Sequence, residues 1–239
     1  MTRPDHTAPA PGDHAHPHGH AHGPAHHHAD PDADQHSAEF WDAAYSSRPQ
    51  VWSGQPNRWL VTDAADLAPG RALDVGCGEG ADAIWLAGRG WTVTASDVSG
   101  VALERARAGA EQAGVADRVL IRHGDLRTDV PDRAAYDLVT AQYLHLPSSI
   151  REVAYARLAE AVAPSGTLLI VAHHPRDLAG EMPRPHDPDL FPSEEELAGA
   201  LDPEVWDVQV AEARPHQATH PDGHQVTVHD TVLRARRRA

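Results

Sequence analysis

The segment "ALDVGCGEG" (72–80) constrains the fold more than any other part of this chain, because three of its last five residues are glycine. Gly76, Gly78 and Gly80 follow an apolar run with the features of a β-strand, and the residues after them have helical spacing. Glycines in a turn between a strand and a helix let the backbone approach a ligand closely. The pattern predicts a βαβ unit with a nucleoside-type ligand at the carboxyl end of its first strand.

Strand and helix patterns alternate along the rest of the chain. The predicted strands are 72–75, 92–96, 119–122, 138–141 and 167–173, and the predicted helices are 81–89, 100–113 and 148–163. Such alternation is typical of parallel strands joined by right-handed crossovers, with helices on both faces. Two period-2 runs, 204–214 and 224–238, are joined by the turn-rich "PHQATHPDG" and predict an antiparallel pair at the sheet edge. The fold class is therefore α/β.

Two classes of ligand fit the glycine turn. The spacing matches the dinucleotide pattern G-x-G-x-x-A if Ala81 takes the last position, and Asp97 lies 21 residues after Gly76, where a ribose-binding acid is expected. Glu79 and Asp82, however, put carboxylates at the helix N-terminus, where a pyrophosphate would have to bind. S-adenosylmethionine has a cationic sulfonium and no phosphate. The acidic turn therefore favours S-adenosylmethionine over NAD.

Four successive motifs make this interpretation specific. They are "LDVGCGEG" (73–80), "DVS" (97–99), "HGDL" (123–126) and "YDLVTAQYLHL" (136–146). In this order they resemble the motifs of class I S-adenosylmethionine-dependent methyltransferases, over residues 38–236. The resemblance implies a Rossmann-like, mostly parallel sheet of seven strands that ends in an antiparallel hairpin. The N-terminal "FWDAAYSSRPQVWSGQPNRWL" (40–60) resembles the thiopurine and tellurite-resistance methyltransferase branch.

The resemblance also implies a set of cofactor-binding residues. Asp97 would bind the ribose hydroxyls, Asp125 the adenine amino group, and Tyr143 would flank the sulfonium and the methyl acceptor. Each tryptophan in the set is also a candidate packing anchor. In chain order the set is Trp41, Trp52 and Arg58 from the N-terminal segment, Asp74, Gly76, Cys77, Gly78 and Gly80 around the turn, Asp97 and Val98, Asp125 and Leu126, and Gln142 and Tyr143.

Several histidines fall near the predicted carboxyl edge of the sheet, at His145, His173 and His174. An imidazole there could act as a general base if the methyl acceptor must lose a proton, so His145 and His174, with Tyr143, are the catalytic candidates. Two alternatives stay open: a small metal site that also includes His186, and histidines that only cap strand ends. Cys77 is expected to fill a position that needs a small residue, without a nucleophilic role.

The N-terminal segment differs in composition from the rest. Residues 1–36 contain no leucine, isoleucine, valine, phenylalanine, tyrosine or tryptophan and hold ten of the 19 histidines. Such a segment cannot bury enough apolar surface to offset its ordering entropy, so we predict a disordered leader that could bind divalent metal. Residues 37–239 would form the methyltransferase domain, with 37–70 as a helical lid.

Charge and composition narrow the partners. The formal net charge of −15 disfavours nucleic acid, and "AQYL" (141–144) stands where related enzymes that methylate planar amino groups carry an "NPPY"-type segment. A small-molecule acceptor with an oxygen, sulfur, nitrogen or metalloid nucleophile is expected. A single cysteine and the absence of a long apolar run predict a cytoplasmic protein with no membrane partner. The alternatives are an NAD-type oxidoreductase and a non-catalytic protein that binds S-adenosylmethionine or metal.

Overall fold

The computed structural model describes residues 36–185 and 187–239, which form one sheet of seven strands flanked by helices. The strand order is β3-β2-β1-β4-β5-β7-β6. The strands are β1 (Arg71–Val75), β2 (Thr92–Asp97), β3 (Val119–His123), β4 (Tyr136–Gln142), β5 (Val162–His173), β6 (Trp206–Thr219) and β7 (Gln225–Arg237). The helices are α1 (Ala38–Ser46), α2 (Arg58–Asp63), α3 (Ala81–Gly88), α4 (Gly100–Gln112), α5 (Ser148–Ala161) and α6 (Glu194–Gly199).

The first five strands are parallel, and the chain changes direction across the sheet between β1 and β4. The chain runs outward from β1 through β2 to β3, and then starts again on the other side of β1 with β4 and β5. Ligands of open parallel sheets bind where this reversal leaves a crevice at the carboxyl ends of the strands. The predicted seven-stranded Rossmann-like fold is confirmed, and it places the glycine turn after β1 beside this crevice.

Apolar side chains cover both faces of the sheet. On one face Leu60 of α2 and Leu86 of α3 pack with Trp91 and are almost fully buried. On the other face Leu158 of α5 packs against β4, β5 and β7. Because Leu60 belongs to this core, α2 is part of the folded body on which the crevice is built. Among the described residues, no helix is long and apolar enough to span a membrane.

The antiparallel pair differs from its prediction in one respect. The sequence "PHQATHPDG" (215–223) predicts a turn, but β6 continues through Thr219 and pairs with β7 up to Gln225. Pro215 is tolerated because β6 is the outermost strand, where one ladder hydrogen bond can be missing. The longer strand carries His216 to the edge of the crevice. The predicted helix bounds were otherwise close, and β5 begins earlier, at Val162, before an irregularity in its pairing with β4.

The N-terminal segment forms two short helices, α1 and α2. Ser37 caps α1 by accepting a hydrogen bond from Phe40, and Asn57 caps α2 by accepting one from Trp59. Tyr45 of α1 is buried against α4. The predicted leader lies outside the described residues, except for His36, and its disorder and metal binding remain predictions.

Candidate active site

The turn after β1 has a backbone that only glycine adopts easily. Gly76, Gly78 and Gly80 have φ angles of +67°, +51° and +85°. The turn is also crowded: a Cβ on Gly76 would lie 2.3 Å from Leu144 Cδ2, and a Cβ on Gly78 would lie 2.8 Å from the Tyr45 hydroxyl. The turn is therefore in close contact with both the loop after β4 and helix α1.

A cavity of about 270 Å³ lies over this turn at the carboxyl ends of the strands. It extends from Asp97 and Asp125 on one side to Tyr143 and His145 on the other. The predicted site residues that line it are Trp41, Trp52, Gly76, Cys77, Gly78, Asp97, Val98, Asp125, Leu126, Gln142, Tyr143 and His145. His36 and His173 line it as well.

Four predicted site residues are placed beside the cavity lining and not in it. Asp74 is buried in β1 behind the turn, and Gly80 starts α3 against Ala106. Arg58 lies on α2 with its guanidinium 6.0 Å from the Trp59 ring centre. His174 caps a short 3₁₀ helix by accepting a hydrogen bond from the Arg176 N–H, and its Nε2 lies 2.9 Å from Glu194.

Asp97 lies at the end of β2 with only 8% of its surface exposed. Its Oδ2 accepts a hydrogen bond of 2.8 Å from the Gly78 N–H, and its Oδ1 accepts one of 2.9 Å from the Ser99 N–H. Burial raises the pKa of this carboxyl above its usual value. Asp97 therefore fixes the turn and at the same time presents a carboxylate edge to the cavity.

Asp125 follows β3 on the same side of the cavity. Arg127 donates hydrogen bonds to both of its oxygens, at 3.0 Å from Nε and 2.7 Å from the guanidinium NH2. These hydrogen bonds lower the pKa of the carboxyl, so Asp125 is ionised at neutral pH. Leu126, the next residue, adds an apolar surface against which a flat ring could pack.

Three buried carboxyls surround the turn: Asp74, Asp82 and Asp97. Burial raises the pKa of Asp82 to about 6, and burial with the charges of Asp82 and Asp97 raises that of Asp74 well above its usual range. Asp74 Oδ2 has no hydrogen-bond partner within the described part of the chain. A cationic ligand relieves this concentration of negative charge, whereas a pyrophosphate would add to it.

Glu79 does not have the effect predicted from the sequence. Its carboxylate accepts hydrogen bonds from the backbone N–H groups of Val51 and Trp52 and forms a 2.8 Å ion pair with Arg105. Arg105 also donates to the carbonyl oxygens of Tyr45 and Arg48. The repulsion that the sequence predicted between Glu79 and a phosphate is thus largely neutralised. Through these hydrogen bonds, Glu79 instead connects the N-terminal segment to the turn.

The far end of the cavity is polar. Tyr143 has a φ of +54°, a left-handed conformation that is rare for tyrosine, and its ring centre lies 4.5 Å from that of His173. Its hydroxyl donates a 2.8 Å hydrogen bond to Asp230 of β7. Burial and the Asp230 charge raise the pKa of the Tyr143 phenol well above its usual value, so it remains protonated.

Three residues at this end were missed from the sequence: Arg184, His216 and Asp230. Arg184 and His216 line the cavity, and Asp230 lies directly behind Tyr143. They come from a loop and the two last strands, far along the chain from every recognised motif. The only available signal was the length of the period-2 run in β7, which requires an equally long partner strand.

The histidines occupy different environments. His145 lines the cavity, and its ring centre lies 5.4 Å from that of His173. Burial lowers the pKa of His173, and Arg184 lies 3.0 Å from its Nε2. In residues 36–185 and 187–239, no group of three or more His, Cys, Asp or Glu side chains could hold a metal ion. His186, part of the metal alternative, lies outside the described residues.

Cys77 lines the cavity as a free thiol. Burial and the neighbouring aspartates raise the pKa of the thiol well above its usual value. A protonated buried thiol is a poor nucleophile. The prediction that Cys77 fills space beside the ligand is consistent with this environment.

The central part of the chain is similar to a known protein family. Residues 72–166 match the family described as "Methyltransferase domain". The match covers 95 of the 239 residues of the chain. The match includes the glycine turn, Asp97, Asp125 and Tyr143. It supports the interpretation of these residues as an S-adenosylmethionine-dependent methyltransferase domain over their interpretation as an NAD-type oxidoreductase.

Relatives and solved structures agree with this match. Methyltransferase GfsG of Streptomyces halstedii is 30% identical over 135 residues, which cover 55% of this chain and 48% of that protein. The chain spans about a third to a half of the length of the curated relatives it matches, all of them methyltransferases.

The fold is shared with proteins of known structure. One, described as "Conversion of a Disulfide Bond into a Thioacetal Group during Echinomycin Biosynthesis", has a TM-score of 0.69 and 25% identity, with 84% of this chain and 91% of that chain covered. TehB from Haemophilus influenzae has a TM-score of 0.63 and 18% identity, with 83% and 66% covered. The likeness to TehB shows the fold alone.

The Gly76→Ala variant tests the glycine turn. A methyl group at this position meets Leu144 at 2.3 Å and requires a left-handed backbone, so we expect the affinity for S-adenosylhomocysteine to fall by about 10-fold or more in a calorimetric titration. Gly88→Ala is the matched control, because a Cβ there meets nothing within 4 Å. Equal losses in both variants would contradict the account.

The Asp82→Asn variant tests the buried acids. Since the folded protein raises the pKa of Asp82 from 3.8 to about 6, it binds this proton more tightly than the unfolded chain does. The stability that this proton binding contributes is complete below about pH 4 and is lost as the pH rises through about 6. Cofactor-free Asp82→Asn should therefore match the wild type in thermal unfolding at pH 4.

At pH 7.5 the same variant should be more stable than the wild type by about 3 kcal/mol. Asp132→Asn, which removes an exposed acid, serves as the control and should show no such pH-dependent gain. A stability difference for Asp82→Asn that is the same at both pH values would argue against a buried, protonatable Asp82.

Proposed function

We propose that the chain transfers a methyl group from S-adenosylmethionine to a small-molecule acceptor. The observation that carries the proposal is the single cavity that joins the acidic glycine turn of the methyltransferase domain to the polar end at Tyr143 and His145. Asp97 would hold the ribose hydroxyls, and Asp125 with Leu126 and Val98 would hold the adenine. Gln142 and Tyr143 would flank the reacting centre, and Trp41 and Trp52 would cover it.

Methyl transfer requires little from the protein beyond the positioning of the cofactor and the acceptor. When bound, the cofactor supplies a methyl group on a cationic sulfur, and the acceptor's lone pair forms the new bond while the electron pair of the broken bond stays on sulfur. The protein's residues hold the two reactants in line and keep water away. Asp82 lines the cavity, and with a pKa of about 6 it is mostly ionised at neutral pH, so it favours a cationic ligand over its neutral product.

A small acceptor fits the cavity and the charge of the chain. About 270 Å³ lies within the described residues, partly covered by α1 and the loop after it. The formal charge of −15 disfavours a phosphate backbone as partner. The chain's likeness to a structure that concerns the conversion of a disulfide into a thioacetal supports sulfur among the candidate acceptor atoms, alongside oxygen, nitrogen and metalloids.

The finer classification rests on the N-terminal segment. In the thiopurine and tellurite-resistance branch that it resembles, aromatic side chains and an arginine close over the cofactor. Trp41 and Trp52 line the cavity as such residues would, whereas Arg58 lies on α2 beside Trp59. We therefore propose that Trp41 and Trp52 are the side chains that close over the cofactor, as aromatic side chains do in this branch.

Binding measurements on the full chain test the cofactor. We expect S-adenosylmethionine and S-adenosylhomocysteine to bind with micromolar affinity in calorimetric titrations, and NADH not to bind. Asp97→Ala should weaken both by about 10-fold or more, because a buried hydrogen-bonding carboxylate is lost. Asp117→Ala, at an exposed acid, is the control. Binding of NADH alone would overturn the proposal, and cofactor binding without methyl transfer to any acceptor would indicate a non-catalytic protein.

A general base is required only if the acceptor carries a proton at neutral pH, and His145 is the candidate that lines the cavity. With a hydroxyl or thiol acceptor, His145→Ala should lower kcat by about 100-fold while the affinity for S-adenosylhomocysteine stays the same. His174→Ala should retain kcat, since His174 contacts Arg176 and Glu194. Unchanged turnover in both variants would exclude an imidazole base at either position.

A further inference from the structure

We propose that Asp230 is a positioning residue for methyl transfer, which fixes Tyr143 at the acceptor end of the cavity. The proposal rests on the proposed function. Asp230 lies on β7, opposite His173 of β5 and Arg214 of β6, and has no exposed surface. It lies 150 positions after Gly80, the last glycine of the turn, and no recognised motif includes it.

Four side chains surround the carboxylate of Asp230, namely Tyr143, Trp59, His216 and His173. Its Oδ2 accepts hydrogen bonds of 2.8 Å from the Tyr143 hydroxyl and 2.8 Å from the Trp59 indole, and it lies 2.9 Å from His216 Nε2. Its Oδ1 lies 3.5 Å from His173 Nδ1. A fully buried carboxylate is tolerated only with such partners.

Asp230 remains ionised despite its burial. Burial raises the pKa of the carboxyl, but the hydrogen bonds from the side chains of His173 and His216 outweigh burial and hold the pKa below the usual value. An ionised carboxylate can only accept hydrogen bonds, so the hydroxyl hydrogen of Tyr143 must point toward Asp230. The phenol is therefore held in one orientation.

The fixed orientation of the phenol determines the conformation of the loop after β4, which packs over the glycine turn. Tyr143 has a strained left-handed backbone, and the next residue, Leu144, packs against Gly76. Such a conformation persists only where neighbouring contacts enforce it. The hydrogen bond to Asp230 and the contact with the His173 ring supply these contacts. Asp230 thus acts on the reacting centre through Tyr143.

Asp230 also links the acceptor end to the N-terminal segment. Trp59 belongs to α2, and the N–H of Asn57, which caps the same helix, donates a hydrogen bond of 2.6 Å to Asp82 beside the turn. One short helix therefore connects Asp230 at the acceptor end with Asp82 at the cofactor end. Removal of the Asp230 charge should loosen Tyr143 more than the glycine turn, because the Asp97 carboxylate holds the Gly78 N–H of the turn without any contact through α2.

Asp230→Asn tests the proposal, with Tyr143→Phe and the double variant. With an acceptor that the wild type methylates, we expect kcat to fall by about 10-fold or more in each single variant, and the double variant to lose little further activity. The dissociation constant for S-adenosylhomocysteine should stay within about threefold. Asp177→Asn is the matched control: this buried carboxylate of the same region accepts hydrogen bonds from His229, lies 3.9 Å from Arg184, and among the described residues does not accept the hydrogen bond of the Tyr143 hydroxyl.

A second readout does not depend on turnover. In protein labelled with carbon-13 at tyrosine Cζ, the Tyr143 resonance, assigned by its loss in Tyr143→Phe, should shift in Asp230→Asn and stay in place in Asp177→Asn. If the wild type methylates no acceptor, the proposed function fails, and this resonance still tests the contact.

Two results would overturn the positioning role. One is a normal kcat in folded Asp230→Asn, which would make Asp230 a structural residue only. The other is a loss of kcat in Asp230→Asn and Tyr143→Phe that multiplies in the double variant, which would mean that the two residues act independently. If Asp230→Asn does not fold, Tyr143→Phe decides alone, because a normal kcat there removes the group through which Asp230 would act.

Discussion

The site depends on the close contact of three structural elements with one glycine turn. Leu144 from the loop after β4 packs on Gly76, the Tyr45 hydroxyl of α1 lies over Gly78, and Ala106 of α4 lies against Gly80. Each contact fills the space that a Cβ would need. The turn therefore determines the distance of the N-terminal helices, the acceptor loop and α4 from the cofactor side of the sheet, and the cavity is the space that these elements leave.

Charge is the second constraint, because the cavity concentrates acids that cost stability when no ligand is bound. Asp74, Asp82 and Asp97 are buried together, and their pKa values are raised. Elsewhere the protein pairs its buried charges, as at Asp230, Asp177 with His229, and Asp63 with Arg214. Buried acids that backbone N–H groups hold at one edge of the sheet, as Asp82 and Asp97 are held, are typical of a ligand site.

The sequence predicted the parts of the site that depend on local pattern. The glycine turn, Asp97 and Asp125 each follow a strand with a clear apolar run, so strand order alone brings them to one edge. The prediction failed where partners are distant in sequence. Nothing near Glu79 indicates that Arg105 neutralises it, and nothing near Tyr143 indicates that Asp230 accepts its hydrogen bond. His216 was hidden because Pro215 and its neighbours have the composition of a turn but lie on an edge strand.

The most direct test of this account is a crystal structure of the full chain with S-adenosylhomocysteine. The account predicts the ribose hydroxyls on Asp97, the adenine between Val98 and Leu126 near Asp125, and the sulfur facing Tyr143 and His145. A ligand bound away from the glycine turn, or with its sulfur directed away from Tyr143, would contradict the assignment of the two ends of the cavity.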